Sequence, residues 1–459
     1  MKKICRFLSF LLCILVVSSL PAQVFADDAT GPYVVDAKAA MLIDLDSERV
    51  LFSQDADEKI YPASLTKIMT CMLALENADE DQIVTVSSQA VEDLGEDSSS
   101  AGLLAGEQIS LRELLYCVMI SSANEACNVV AETVSGSVSA FVDLMNQRAR
   151  ELGCTGTHFV NPHGLHDDNH YTTARDLSKI TLAALKLEDF VTICTAAEHT
   201  VPATNLSAER ELHSTNYLIS TYNTEIYYYA KAKGIKTGFT TPAGRCLISM
   251  ASSGGLNFLS IVCGAATVQQ SDGSWLMKSF TETKNLFEYG FSHYREFTLV
   301  TPLRPLGKLP VRLSADTESA VYAPAEAISA LLPSEYDELL LRTVINLDNP
   351  EGIDAPVRKD QKLGTVEVYY DHELLGSTDL LAIADIQRSA TEQVISQTQS
   401  FFHAPFWKWV QYALVLLVIV LIALLVWRIY RIRMARQRRA EQRKREELRR
   451  RLREEMEDQ

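Results

Sequence analysis

No two of the nine cysteines stand in a CxxC pair, and no group of Cys and His shows the spacing of a zinc finger. That absence excludes the common structural zinc modules and the thioredoxin-type redox motif. Basic charge is scarce as well: 43 Lys and Arg face 59 Asp and Glu, a formal net charge of −16. Of those basic residues 13 lie after Trp427, so the rest of the chain is more acidic still. A surface of that sign repels a phosphate backbone, and nucleic acid is excluded as a partner. There is no internal repeat, which excludes a solenoid or propeller. Long apolar runs are confined to the two ends of the chain.

The first run, "MKKICRFLSFLLCILVVSSLPAQVFA", has a basic start, a short apolar centre and small residues at its finish. It reads as a signal peptide over residues 1–26, cleaved after Ala26, and implies export. The second, "WVQYALVLLVIVLIALLVW", runs from Trp409 to Trp427 without a charge. A helix of that length spans about 28 Å, close to the hydrocarbon thickness of a bilayer. Trp407, Trp409 and Trp427 stand where interfacial aromatics belong. The tail over 428–459 carries 13 basic and 7 acidic residues and reads as cytoplasmic by the positive-inside rule. Both ends therefore describe a single-pass cell-membrane protein with its bulk outside the cytoplasm. Seven cysteines (71, 117, 127, 154, 194, 246, 263) lie between the runs. Seven is odd, so they cannot all pair within one chain, and their apolar settings make them small buried hydrophobes.

Between the ends the pattern predicts two domains. "AAMLIDLDSERVLFSQ" reads as two strands around a turn, and a helix is predicted from Ser64 to Glu76, its core face carried by Leu65, Ile68, Met69, Met72 and Leu75. Ser110 with Glu113 forms a capping-box pattern ahead of the next helix. A further helix over 139–152 stops at Gly153, and "TGTHFVNPHGLHDDNHYTTA" is a long loop. Strands are predicted at 229–237, 244–251 and 256–264, then a helix with Ser271 or Asp272 as its cap. Strands at both ends with helices between them predict one antiparallel sheet, flanked by helices, over residues 27–295. Short strands broken by Pro and Gly then predict a small all-β domain over 296–387 and a stalk over 388–408.

Within the first domain "YPASLTKIMT" places Ser64 one turn ahead of Lys67 in an apolar stretch. A capping serine and a snorkelling lysine are the bland reading. The chemical reading is a nucleophile beside its base. Two further elements favour it: Ser122-Ala123-Asn124 in a turn between helices, and Lys236-Thr237-Gly238 at the end of a strand. SxxK, SxN and KTG in that order form the signature of penicillin-binding proteins and class A β-lactamases. Together with "NPHGLHDDNHYTTARDL" and "GIKTGFTTPAGRCLI", the chain over about 32–290 resembles low-molecular-mass penicillin-binding proteins of the D-alanyl-D-alanine carboxypeptidase type.

A serine hydroxyl attacks only when a base takes its proton, and a lysine is a base only when neutral. Burial and a second cation, Lys236 across a cleft, both lower its pKa. Ser122 is expected to pass a proton to the leaving amine, Asn124 to hold Lys67 and the substrate backbone, and Thr237 to bond the substrate carboxylate. Gly238 lets a substrate strand approach. The resemblance implies an oxyanion hole from the backbone N–H groups of Ser64 and Phe239. It also implies a peptidoglycan stem peptide ending in D-Ala-D-Ala as substrate, β-lactams as acylating inhibitors, and no cofactor or metal. His163, His166 and His170, with Asp167 and Asp168, are then a loop bordering the cleft rather than a metal site.

Two departures stand out. Relatives often carry histidine where Phe239 stands, and an arginine after the last sheet strand where "GAATVQQSDGSW" has none. Arg245 and Lys233 are the cations left as substitutes for it. Two other readings stay open: a β-lactamase, and a catalytically weak β-lactam-binding or cell-wall sensing protein.

Overall fold

A computed structural model describes residues 33–92, 98–391, 394, 395, 398 and 405–457. The signal-peptide expectation for 1–26 and most of the stalk at 388–408 lie outside the described residues. The chain divides into two compact units at Tyr294/Arg295.

The first unit is organised on one antiparallel sheet in the order β2-β1-β9-β8-β7. β1 (Ala39–Asp44) and β2 (Val50–Gln54) form the hairpin expected from the sequence. β7 (Ala232–Thr240), β8 (Gly244–Ser253) and β9 (Leu256–Ala265) form a meander whose last strand pairs with β1. Segments some 200 residues apart thus close one sheet. β1 is buried at every position, which explains its unbroken apolar run: helices cover both faces. Met41 and Ile43 face the larger helical layer. On the other side α8 (Lys278–His293) lies against the sheet, with Phe291 stacked 4.9 Å from Phe258 of β9. β7 is an edge strand, with one side free of sheet partners.

The helical layer contains α1 (Lys67–Asn77), α2 (Ser88–Glu92), α3 (Leu111–Met119), α4 (Asn124–Ser135), α5 (Val138–Glu151), α6 (Ala174–Ala184) and α7 (Glu188–Thr195). Ser110 caps α3 by accepting the Glu113 N–H at 3.2 Å. The reciprocal half of the box does not form. Ser110 is itself paired with Ile83 in a short ladder of β3 (Ile83–Thr85) and β4 (Gln108–Ser110), and the Glu113 carboxylate turns to His199 Nε2 at 2.7 Å. His199 belongs to a second small hairpin, β5 (Glu198–Val201) with β6 (Arg210–His213). Gly153 has φ +72 just after α5, as its sequence position implies.

Three expectations change. The helix predicted from Ser64 begins as a 3₁₀ turn, Ala63–Thr66, and becomes α-helical only at Lys67. The KTG strand runs to Thr240, so Lys236-Thr237-Gly238 lies within it rather than at its end. Neither Ser271 nor Asp272 caps α8: Trp275–Met277 forms strand β11 against β10 (Thr267–Gln269), so the helix starts at Lys278 with no side-chain cap. Asp272 instead closes its own turn by accepting from Ser274 N and Oγ.

The second unit is all-β up to residue 382. β12 (Tyr294–Val300) pairs with β15 (Ile328–Pro333). A six-stranded sheet has the order β16-β18-β19-β14-β13-β17, from β13 (Gly307–Arg312), β14 (Ser319–Pro324), β16 (Leu341–Leu347), β17 (Ile353–Asp354), β18 (Lys362–Tyr370) and β19 (Glu373–Ala382). Its core contains Leu309, Val366, Val368 and Leu380. After it comes α9 (Pro405–Glu457), one continuous helix that includes the uncharged run at 409–427. The apolar side chains of that run are exposed, as a helix built to meet lipid requires.

Candidate active site

The local backbone explains how Ser64 and Lys67 meet. In a 3₁₀ turn, side chains three residues apart eclipse one another. Ser64 sits in that turn and Lys67 is the residue after it, and the Nζ–Oγ distance is 3.0 Å. Ser64 caps nothing here: the cap position is Pro62, without a side-chain bond. Nor does Lys67 snorkel, because it is 0% exposed. Its other two hydrogen bonds go to Asn124 Oδ1 at 2.6 Å and the His163 carbonyl at 2.7 Å. Burial lowers its pKa to about 8, against the smaller opposing pull of Cys127 and Glu125. Lys236 is buried as well. Burial and the nearby Lys67 both push its pKa well down, and its Nζ donates to the Thr237 carbonyl at 3.1 Å.

Three elements converge on this pair. The Ser64 turn is held from below by the 153–173 loop. Thr66 Oγ1 donates to the Ala63 carbonyl and is 2.8 Å from His170 Nε2, while His170 Nδ1 accepts the Val160 N–H. That acceptance places the imidazole proton on Nε2, so His170 donates to Thr66. Burial keeps His170 neutral by pulling its pKa to about 4. A Cβ at Gly164 would lie 1.9 Å from the Ala63 carbonyl oxygen, so the loop touches the turn directly. The edge strand closes from the side: a Cβ on Gly238 would lie 3.0 Å from the Pro62 carbonyl and 3.1 Å from Ser64 N. Ser122 completes the third side at φ +64, a left-handed conformation unusual for serine, and Ala63 is likewise at φ +47.

Ser64, Ser122, Thr237, Gly238 and Phe239 line one cavity of 480 Å³. Asn124 and Lys236 are buried at 4% and 1% exposure, beside Lys67. The structure thus brings Ser64, Lys67, Ser122, Asn124, Lys236, Thr237, Gly238 and Phe239 to one place. Asn124 departs in one detail: its amide nitrogen bonds Ser98 Oγ, so it is engaged within the protein. Sequence reasoning missed five contributors. Ser98 bonds Asn124, and the Ser99 carbonyl accepts the Asn124 N–H at 2.9 Å. Thr215 Oγ1 lies 2.6 Å from Thr237 Oγ1. Tyr217 and Phe280 add aromatic wall. The run "SSSAG" and the segment "HSTNY" carry no periodic or motif signal that marks them.

Of the two candidate cations, Arg245 lines this cavity and Lys233 does not. Lys233 is exposed on β7. All seven cysteines of the described residues are buried and unpaired.

Solved structures share the fold. The structure of penicillin-binding protein 5 from Haemophilus influenzae matches with a TM-score of 0.56 at 26% identity, covering 78% of this chain and all of that one. The chain is 29% identical over 401 residues to D-alanyl-D-alanine carboxypeptidase DacF of Bacillus subtilis, covering 86% of this chain and 97% of that protein. It is 28% identical over 405 residues to the DacC enzyme of Escherichia coli, covering 85% and 94% respectively. A profile for the C-terminal domain of penicillin-binding protein 5 matches residues 306–388. A profile for D-alanyl-D-alanine carboxypeptidases matches residues 26–267. That last match takes in more than half of the chain together with the Ser64 turn, Ser122 and the Lys236 strand, and the protein belongs to the D-alanyl-D-alanine carboxypeptidase family.

Proposed function

We propose that this serine-type carboxypeptidase removes the terminal D-alanine of peptidoglycan stem peptides with Ser64 as nucleophile and Lys67 as base. The hydrogen bonding of Lys67 is the observation that carries the reading. Two carbonyl oxygens, from Asn124 and His163, accept two N–H bonds, and the remaining direction meets Ser64 Oγ. A neutral amine has two N–H bonds and one lone pair, so the lone pair faces the serine proton.

Lys67 takes the Ser64 proton as Oγ attacks the carbonyl carbon of the penultimate D-alanine. The N–H groups of Ser64 and Phe239 receive the oxyanion. When the C–N bond breaks, the proton returns through Ser122 to the departing D-alanine amine. A water then loses a proton to Lys67, attacks the ester and frees Ser64. Asn124 positions Lys67, Lys236 stands buried beside Lys67, Thr237 binds the substrate carboxylate, and Gly238 leaves room for the substrate strand on the β7 edge. The same attack on a β-lactam opens the ring while the leaving nitrogen stays tethered, which leaves a slowly hydrolysed acyl-enzyme.

The reading extends to the whole chain: signal peptide 1–26, catalytic domain 27–295, β domain 296–387, stalk 388–408, membrane helix 409–427 and cytoplasmic tail 428–459. The catalytic domain then faces the cell wall from the outer side of the membrane.

Incubation of the purified protein with a pentapeptide muropeptide is the test, read by mass. Loss of one alanine is expected, and Ser64→Ala abolishes it. Sustained nitrocefin turnover points instead to a β-lactamase. Penicillin labelling of Ser64 without alanine release points to a binding or sensing protein.

A further inference from the structure

Two of the seven buried cysteines touch each other. β8 and β9 pair at Arg245 with Ala265 and at Leu247 with Val262, so Cys246 alone faces both Cys263 and Gly264 across a β-bulge. Both side chains lie in the core between the sheet and the larger helical layer, so they project from one face. The Cys263 S–H donates to Cys246 Sγ, and the Gly264 N–H donates to the same sulfur at 3.4 Å. Cys127, Cys154 and Cys194 donate instead to backbone carbonyls. Facing residues of an antiparallel pair have Cα atoms about 4.5–5.5 Å apart, inside the range of about 4.4–6.8 Å that a disulfide spans. The pair also borders the catalytic cleft. Cys246 is paired with Gly238 on β7 and lines the cavity that holds Ser64, while Cys263 is sealed at 0% exposure.

We infer that Cys246 and Cys263 are a modification site, oxidised by a low-molecular-mass disulfide to a cystine that staples β8 to β9 behind the KTG strand. Oxidants of that class persist outside the cytoplasm, where the signal peptide would direct the chain. The exchange starts at Cys246, the member of the pair that reaches the cavity wall. Its two donors and the nearby Lys38 hold its pKa below the ordinary thiol value against burial, while donation and burial push that of Cys263 well up. The Cys246 thiolate attacks one sulfur of the oxidant and expels the other as a thiolate. Cys263 then gives up its proton and attacks Cys246 Sγ, which releases the second thiolate. Two protein thiols are oxidised, one disulfide is reduced to two thiols, and the two protons pass to the departing sulfurs. The new bond joins the strands where their ladder is irregular. Gly238, the partner of Cys246, abuts Ser64 N, so the staple backs the strand on which the Ser64 turn rests. The inference concerns the thiols alone and does not depend on the proposed reaction at Ser64.

The full chain in detergent is reduced with dithiothreitol, freed of it and incubated with glutathione disulfide. Free thiols are then alkylated under denaturing conditions. Trypsin leaves Cys246 and Cys263 in one peptide, residues 246–278, with no other cysteine. That peptide is expected to lose two hydrogens and escape alkylation, while Cys71, Cys117, Cys127, Cys154 and Cys194 are alkylated. Renewed dithiothreitol restores two alkylated thiols to it. By near-UV circular dichroism the oxidised chain is expected to melt about 5–10 °C above the reduced one, the gain usual for a closed loop of this size. Cys263→Ala abolishes that shift. Cys263→Ser repeats the comparison should the alanine variant not fold, and the peptide mass, read on the wild type, needs neither. Two alkylated cysteines in the peptide after exhaustive incubation overturn the inference. So does a glutathione adduct on Cys246 that never resolves, or a bridge from either residue to a different cysteine. A bond that forms without a rise in Tm overturns the staple.

Discussion

At the scale of single residues the site is a problem of keeping one amine uncharged. Lys67 lies on a helix among apolar side chains, and burial lowers its pKa from 10.5 to about 8. The folded value lies below the unfolded one, so the free base becomes the dominant form above about pH 8, well before an exposed lysine would deprotonate. Ser64 acylation is therefore expected to rise with pH through a midpoint near 8 and to level off above it. Stopped-flow acylation by a fluorophosphonate between pH 6 and 10 measures this. A rate that is flat across that range removes Lys67 from the role of base. Ser64 and Lys67 were legible in the sequence because their spacing is local. The acceptors that orient the amine, Asn124 Oδ1 and the His163 carbonyl, come from 57 and 96 residues away.

At the scale of elements, a short 3₁₀ turn is clamped between a loop and an edge strand. The loop does the finer positioning. Gly164 has φ +92, and a Cβ there would overlap the Ala63 carbonyl at 1.9 Å. Gly164→Ala is expected to cost about 3 kcal/mol or more, since the backbone conformation and the contact both oppose it. It is also expected to slow acylation by displacing the turn that carries Ser64. Urea unfolding with fluorophosphonate kinetics checks both, and a loss under about 1 kcal/mol with normal acylation would contradict the clamp. The sequence marked the loop as long and glycine-containing, and its crowding of Asn, Pro and Gly is the visible signal. His170 had no such signal. Its bond to Thr66 spans 104 residues and arises only when the loop folds back on the turn. Element ends were misjudged where pairing outweighed local pattern. Trp275–Met277 joined a ladder instead of the helix predicted through it, and the KTG strand was extended to Thr240 by pairing with Gly244 on β8.

At the scale of the whole molecule, an enzyme unit and a β unit precede a helix with an exposed apolar band. An apolar surface of that length is stable only in lipid or against another helix. The full chain is expected to pellet with membranes and to need detergent for release. Removal of residues 405–459 is expected to yield soluble protein that still acylates. With the proposed orientation, a protease added to intact cells stripped of their wall cuts the catalytic unit and spares the tail. Release of the full chain by salt alone would rule out the anchor.

The sequence by itself determined the reaction class and set out an expected layout of the chain. Both depend on local order: a serine three residues before a lysine, two more short motifs, and a charge-free run long enough for a bilayer. Only the tertiary structure decided what surrounds those groups. It placed Arg245 at the cavity, because β8 brings position 245 opposite Phe239, while position 233 faces solvent. It supplied Ser98, Thr215 and His170, whose partners lie 22 to 104 residues away. Contacts of that range depend on how a sheet closes and a loop returns, and no spacing along the chain encodes them directly.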